Sequence, residues 1–281
     1  MYRSLSILFL LLICFCSYAQ TDTVQVKTEM TKSSEPSKMK EVQSKQVIEG
    51  SADELLKKAA VLYSQSHYAE AATIYEHILA NFGTSDKLYY NLGNAYYKSK
   101  NMAPAILNYE RAIRLNPGDR DARFNLEMCQ ARITDKIEPV GMFFINRWFK
   151  SLGNSYNSNA WAGISIFFFI LFIACLFIYF FTKFSWLKKS GFFVGILFIC
   201  LSVLSLVYSG EQHHSLVKPD TAILFAPTVT VKSSPDESGT DLFIIHEGCK
   251  VKVLSVLGTW SEIELEDGNI GWLESNNIQV I

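Results

Sequence analysis

Two uncharged apolar runs, separated by one short basic link, constrain this chain more than any other feature. The first is Trp161 to Phe181, WAGISIFFFILFIACLFIYFF, and the second is Gly191 to Tyr208, GFFVGILFICLSVLSLVY. Each approaches the roughly 20 residues that an α-helix needs to cross a hydrocarbon core about 30 Å thick. A buried helix of a soluble core rarely stays apolar around its whole circumference for that length. Residues 161–181 and 191–209 therefore read as transmembrane helices, and the chain as a multidomain, multi-pass membrane protein. The link, residues 182–190, carries Lys183, Lys188 and Lys189 and no acid. Short basic loops stay in the cytoplasm, which places the segments before and after the hairpin together on the opposite side of the bilayer.

The N-terminus agrees with that topology. Arg3, an apolar stretch from Leu5 to Cys16, and the small residues Ser17 and Ala19 ahead of Gln20 have the layout of a secretory signal peptide over residues 1–19. Residues 20–50 are rich in Ser, Thr, Lys, Glu and Gln and lack aromatics, so they bury too little surface to order themselves and read as a disordered linker. Hydrophobic residues make up 49% of the 281, an excess that the spans and the signal largely explain. A formal net charge of −1 provides no overall field to attract nucleic acid. Of the cysteines, only Cys129 and Cys249 lie outside signal and spans, in different segments, and they read as packing residues rather than a disulfide framework.

Between linker and spans the chain repeats itself. An offset of 34 residues lays Ala71 on Ala105, Tyr75 on Tyr109, Glu76 on Glu110 and Tyr63 on Tyr97. In the second copy Leu92, Gly93, Tyr96, Ala105, Tyr109, Ala112 and Pro117 fall where the tetratricopeptide pattern wants them. The first copy is poorer but opens on Ser51-Ala52-Asp53-Glu54, a capping box. A third start at Arg120 has no second helix before Pro139 and reads as a capping helix, so residues 51–134 form a short all-α stack. By resemblance to tetratricopeptide proteins, the first helix of each pair lines a concave groove. That places Lys87, Tyr90, Asn91, Asn94, Tyr97 and Lys98 at a protein- or peptide-binding surface. Tyr96 and Tyr109 read as packing between repeats, whereas Tyr90 and Tyr97 could pack or bind. The carboxylate clamp of some relatives would need Leu56, Ala60, Asn91, Asp121 and Asn125 to match, and only Asn91 does.

Residues 137–160 connect stack and hairpin. Within them, PVGMFFINRWFK (139–150) combines aromatics with Arg147 and Lys150, which suits a segment lying in the membrane interface; docking against the repeats is the competing expectation.

After the second run the pattern turns to period two. Val229–Lys232, Lys250–Leu254 and Ser261–Glu266 alternate as half-buried strands, with turns at Asp236–Gly239, Gly258-Thr259 and Asp267-Gly268. Short strands at this density imply a small all-β barrel. The stretches VTVKSSPDESG, LFIIHEGCKVKVL, TWSEI and GNIGWLESNNIQVI resemble a bacterial SH3 domain over 217–281. That resemblance offers Trp260 and Trp272 as a ligand face, though in many such domains the tryptophans chiefly support the barrel. Glu262, Glu264 and Glu266 are expected to share one solvated strand face.

No nucleophile elbow, P-loop, zincin, C-x-x-C or dinucleotide fingerprint occurs, so the chain reads as a binding protein without cofactor or metal rather than an enzyme. Signal, repeats, two-span hairpin and SH3-like segment, in that order, resemble the BatE family of aerotolerance-operon proteins. The resemblance implies an inner-membrane protein with both modules in the periplasm. It also implies as partners membrane proteins with von Willebrand factor A domains, a BatD-type membrane protein and a MoxR-type AAA+ ATPase. The leading expectation is a scaffold for an oxidative-stress or aerotolerance complex. The alternative is an envelope sensor whose SH3-like domain binds peptidoglycan or wall peptides.

Overall fold

A computed structural model describes residues 50–281 except 138–140, 142, 143 and 218, so the expected signal peptide and nearly all of the linker lie outside the described residues. Helix α1, Ala52–Ser64, starts at the capping box: Ser51 Oγ accepts from the Glu54 amide while Glu54 Oε2 accepts from the Ser51 amide at 3.0 Å. Helix α2 is Tyr68–Asn81, α3 Asp86–Lys98, α4 Met102–Leu115 and α5 Arg120–Gln130. Ser85 caps α3 and Asp119 caps α5, each side chain accepting amides of the first turn. The turns inside the two pairs are copies of one another. Ser66 and Lys100, one 34-residue period apart, take φ of 67° and 66°. In both, the next amide returns to a carbonyl near the helix end, His67 to Leu62 and Asn101 to Tyr96, which is the Schellman closure. Leu55, Ala59, Ala71, Ile74, Tyr75 and Leu92 form the core of the first pair and its contact with the second.

Two helices follow that are long and apolar enough to span a membrane, α7 Ser158–Phe181 and α8 Ser185–Val217, preceded by the short α6, Phe144–Gly153. Most α7 and α8 side chains are exposed, and the helices meet along small and polar residues. Ser165 and Ser202 each donate to the other's main-chain oxygen, at 2.9 and 3.0 Å. Gly191 and Gly195 let Cys175, Ile178 and Phe172 approach closely. The connection is shorter than the expected loop over 182–190. Ser185–Ser190 are already helical because nothing in that sequence breaks a helix, which leaves Thr182–Phe184 as the link. At its other end α8 continues past residue 209 to Val217.

The C-terminal segment is an antiparallel sheet of seven strands: β1 Thr221–Leu224, β2 Thr228–Lys232, β3 Asp241–His246, β4 Lys250–Leu257, β5 Trp260–Glu264, β6 Ile270–Glu274 and β7 Ile278–Val280. Their order is β3-β2-β6-β5-β4-β1-β7, an open arrangement with β3 and β7 at the edges, where the sequence led to a closed barrel. The third expected strand ends early. Glu266 leaves β5 for the turn in which the Gly268 amide donates to Leu265, so it does not extend the row of Glu262 and Glu264. In that turn only Gly268 has positive φ, 88°, with Asp267 Oδ1 accepting the Asn269 amide; a two-residue turn with both central residues left-handed is not formed. At Gly258-Thr259 the two-residue link does form, joining Leu257 to Trp260 with Gly258 at φ 61°.

Sheet and repeats form one body. Ile106 of α4 packs with Ile223 and Ile281 of the sheet and with Ile133 beyond α5, and a Cβ on Gly248 would lie 2.7 Å from Ile133. Around this apolar centre, Lys250 pairs with Glu110 at 2.8 Å. Asp135 accepts from the His246 amide and contacts its Nδ1 at 2.8 Å. Arg111 and Arg114 donate to the main-chain oxygens of Val280 and Ile281, so the repeat helix covers the β7 end of the sheet.

Candidate functional site

The expected groove runs over α1, α3 and α5. In its middle, α3 buries Leu88, Leu92, Gly93 and Ala95 and leaves Tyr90, Asn91, Asn94 and Tyr97 half-buried. Gly93 is essential to this arrangement, because a Cβ there would sit 2.8 Å from the Tyr109 ring. Tyr109 is fully buried, and burial pushes its hydroxyl well above the ordinary phenol range. It therefore remains a donor, giving a 2.7 Å hydrogen bond to Asn94 Oδ1.

Asn94 Oδ1 also accepts from Asn125 Nδ2 at 2.9 Å, and the same amide lies 3.3 Å from the Tyr90 hydroxyl. Tyr90, Asn94, Tyr109 and Asn125 thus make one network tying α3, α4 and α5 together. Tyr90 further packs its ring 6.1 Å from that of Tyr109. Of the expected groove residues, Tyr90 and Asn94 are engaged in holding the repeats, and both are half-buried. Asn91 is half-buried, Lys87 and Lys98 are exposed, and Tyr97 is half-buried with the Arg132 guanidinium 4.9 Å over its ring. That geometry is a cation–π pair. Tyr96 behaves as the packing residue it was expected to be, its hydroxyl bonding Glu76 of α2.

Three residues in register with the expected groove escaped the sequence reading. Carrying the 34-residue offset once more puts Phe124 on Tyr90, Met128 on Asn94 and Arg132 on Lys98. Phe124 is 63% exposed and Met128 39%, and neither is needed for the core of α5, which Ala122, Leu126 and Cys129 supply. Along the expected groove, exposed apolar surface at α5 thus joins half-buried aromatic and amide groups at α3 and the exposed cations Lys87 and Lys98. Such a mixture suits a protein segment better than a small polar metabolite.

Trp260 and Trp272 lie elsewhere. On β5 and β6 the buried row is Ser261, Ile263, Gly271 and Leu273, so both tryptophans stand on the opposite, outward face, half-buried beside Glu262 and Glu274. Since Trp260 is paired with Glu274 and Trp272 with Glu262, they are diagonal neighbours across the two strands. The sheet meets the repeats through α4 and through Ile133 and Asp135 beyond α5, whereas both tryptophans lie on the outward face of β5 and β6.

The helical pairs and their repeated turns define a helical-repeat protein of the kind that binds other proteins. Residues 87–119, covering α3 and α4, match the tetratricopeptide repeat family. No curated protein matches the chain.

Proposed function

We propose that the protein is a membrane-anchored, non-enzymatic scaffold that holds a protein partner in the concave face of its repeats. The reading rests on one observation above all: Phe124 and Met128 present apolar surface that the folded repeats do not themselves consume. In this reading α7 and α8 are the anchor, with repeats and an SH3-like sheet on the periplasmic side of the inner membrane. The order of parts makes a BatE-type role in an aerotolerance complex the natural setting. Partners with periplasmic parts, the von Willebrand factor A and BatD-type membrane proteins, could reach the groove. A cytoplasmic MoxR-type ATPase could touch only the link around Thr182–Phe184. The test is crosslinking in native membranes followed by mass spectrometry, comparing wild type with Tyr97→Ala/Phe124→Ala. Loss of specific partners with the sheet still folded supports the scaffold; an unchanged set of partners rejects the groove.

A second reading is favoured by the outward placement of Trp260 and Trp272 as diagonal neighbours. Here the SH3-like sheet binds peptidoglycan stem peptides as part of an envelope sensor. Retention of the full-length protein on purified wall material, lost on Trp260→Ala, would support it; retention unaffected by that substitution would rule these tryptophans out.

A further inference from the structure

Helix α6 is a surface that the groove and the sheet leave unexplained. Phe144 is 78% exposed, Trp148 60% and Phe149 42%. Phe144 and Trp148 are four residues apart and so share one face of the helix, and Phe149 joins them with its ring 5.1 Å from that of Trp148. Large aromatics grouped this way on an otherwise short helix mark a surface that another phase or molecule covers.

The position of the helix identifies the cover. Its last carbonyl, that of Gly153, accepts the buried indole N–H of Trp161 at 2.9 Å and the Gln212 amide at 3.2 Å. Trp161 opens the apolar stretch of α7, and Tyr208, its ring 5.0 Å away, closes that of α8. A Cβ on Gly153 would lie 2.9 Å from the Tyr208 ring, so only glycine allows this approach. The end of α6 is thereby fixed at the level where the apolar surface of the two helices begins, which in a bilayer is the belt favoured by tryptophan and tyrosine. The sequence of α6, FINRWFKSLG, has Arg147 and Lys150 and no acid, matching an anionic headgroup layer. The repeats touch this region through Arg123, which donates to the Asn154 carbonyl at 2.8 Å, and through Gly118 against Ser155. They leave Phe144 and Trp148 uncovered.

We propose that α6 lies in the bilayer interface with Phe144, Trp148 and Phe149 among the headgroup and upper acyl regions. It is a third point of membrane attachment that, through Arg123 and Asn154, holds the repeat stack close to the surface. This rests on α7 and α8 spanning the membrane.

The experiment is tryptophan fluorescence of the full-length protein in vesicles of phosphatidylcholine and phosphatidylglycerol, with and without lipids brominated near the headgroup. It compares wild type with Trp148→Phe, a conservative change at an exposed site. The wild-type minus variant spectrum belongs to Trp148. It is expected to be blue-shifted and to lose about half its intensity to brominated lipid. A red-shifted, unquenched difference spectrum would place Trp148 in water, and a blue-shifted but unquenched one would place it under protein; either overturns the proposal. The emission remaining in Trp148→Phe comes from Trp161 and Trp186 at the helix ends and from Trp260 and Trp272 of the sheet, and the part open to lipid is that of Trp186, 68% exposed. Its failure to be quenched would instead overturn the spanning reading.

Discussion

Lys250 of β4 and Glu110 of α4 lie 2.8 Å apart, with side chains 29% and 11% exposed, at the seam where the sheet docks on the second repeat. Removing one partner leaves the other charge half-buried without compensation, which costs more than the pair contributes. Lys250→Met is therefore expected to destabilise the detergent-solubilised protein by about 1–3 kcal/mol. Adding Glu110→Gln should restore part of that loss, because the orphaned charge is gone. Thermal unfolding of the two single variants and the double variant gives the coupling directly. Additive effects would show that the seam does not depend on this pair.

Gly93 and Tyr109 meet at a close approach of α3 and α4. An alanine Cβ would meet the ring at 2.8 Å, and Tyr109 cannot retreat because it is fully buried and hydrogen-bonded to Asn94. Gly93→Ala, ordinarily favourable in a helix, should here cost about 1–3 kcal/mol. Because Asn94 and Asn125 share that network, hydrogen exchange should quicken in α5 as well as in α3 and α4. A variant as stable as wild type would mean that the helices separate without penalty.

The repeat was legible because its period is local: Gly93, Ala105 and Tyr109 announce the helix pair by spacing alone, and the same offset carried further would have found Phe124 and Met128. The apolar helices were equally plain, since length and composition decide them. The docking of sheet on repeats was not legible. Glu110 and Lys250 are 140 residues apart, and each reads as an ordinary surface charge until the fold brings them together. Of the four strands that alternation did not single out, β1, β3, β6 and β7, the first and last escape for a related reason: TAIL and IQV are too short to show it and form by pairing with each other beside β4. Open pairing instead of closure is likewise a matter of long-range register, which period two does not encode.

Lys100 offers a gain in stability. It holds φ 66°, a left-handed conformation that costs a side-chain-bearing residue about 1–2 kcal/mol, and it is exposed, with its amide rather than its side chain closing the turn. Glycine removes the strain but adds freedom to the unfolded chain, so Lys100→Gly should stabilise by a net of about 0.5–1 kcal/mol. Ser66, its counterpart, is the poorer site because its hydroxyl is 3.2 Å from that of Tyr68. Urea titration of Lys100→Gly should move the midpoint upward with an unchanged slope; a downward shift would show that Lys100 makes a contact the turn needs.

Among the described residues, Cys129 and Cys249 are the two cysteines outside the apolar helices, and both contribute to an alkaline limit. Burial pushes the Cys129 thiol up to about 11 against the opposing influence of Arg132. Burial, reinforced by Asp135, Glu266 and Asp267, pushes that of Cys249 up to about 12. In the unfolded chain both thiols ionise near their ordinary value of about 9. Between about pH 9 and 12 the folded state thus keeps protons that the unfolded state has lost, and stability falls as pH rises through that window. Below it the contribution is constant. The melting temperature should therefore decline from about pH 9 upward, and the decline should be shallower in Cys249→Ala, which also loses packing by an amount that does not depend on pH. At about pH 8, a thiol reagent should leave Cys129 and Cys249 unlabelled in the folded protein and modify both after denaturation. Prompt labelling of Cys249 in the native state would show that the seam beside Asp135 opens on the timescale of the reaction.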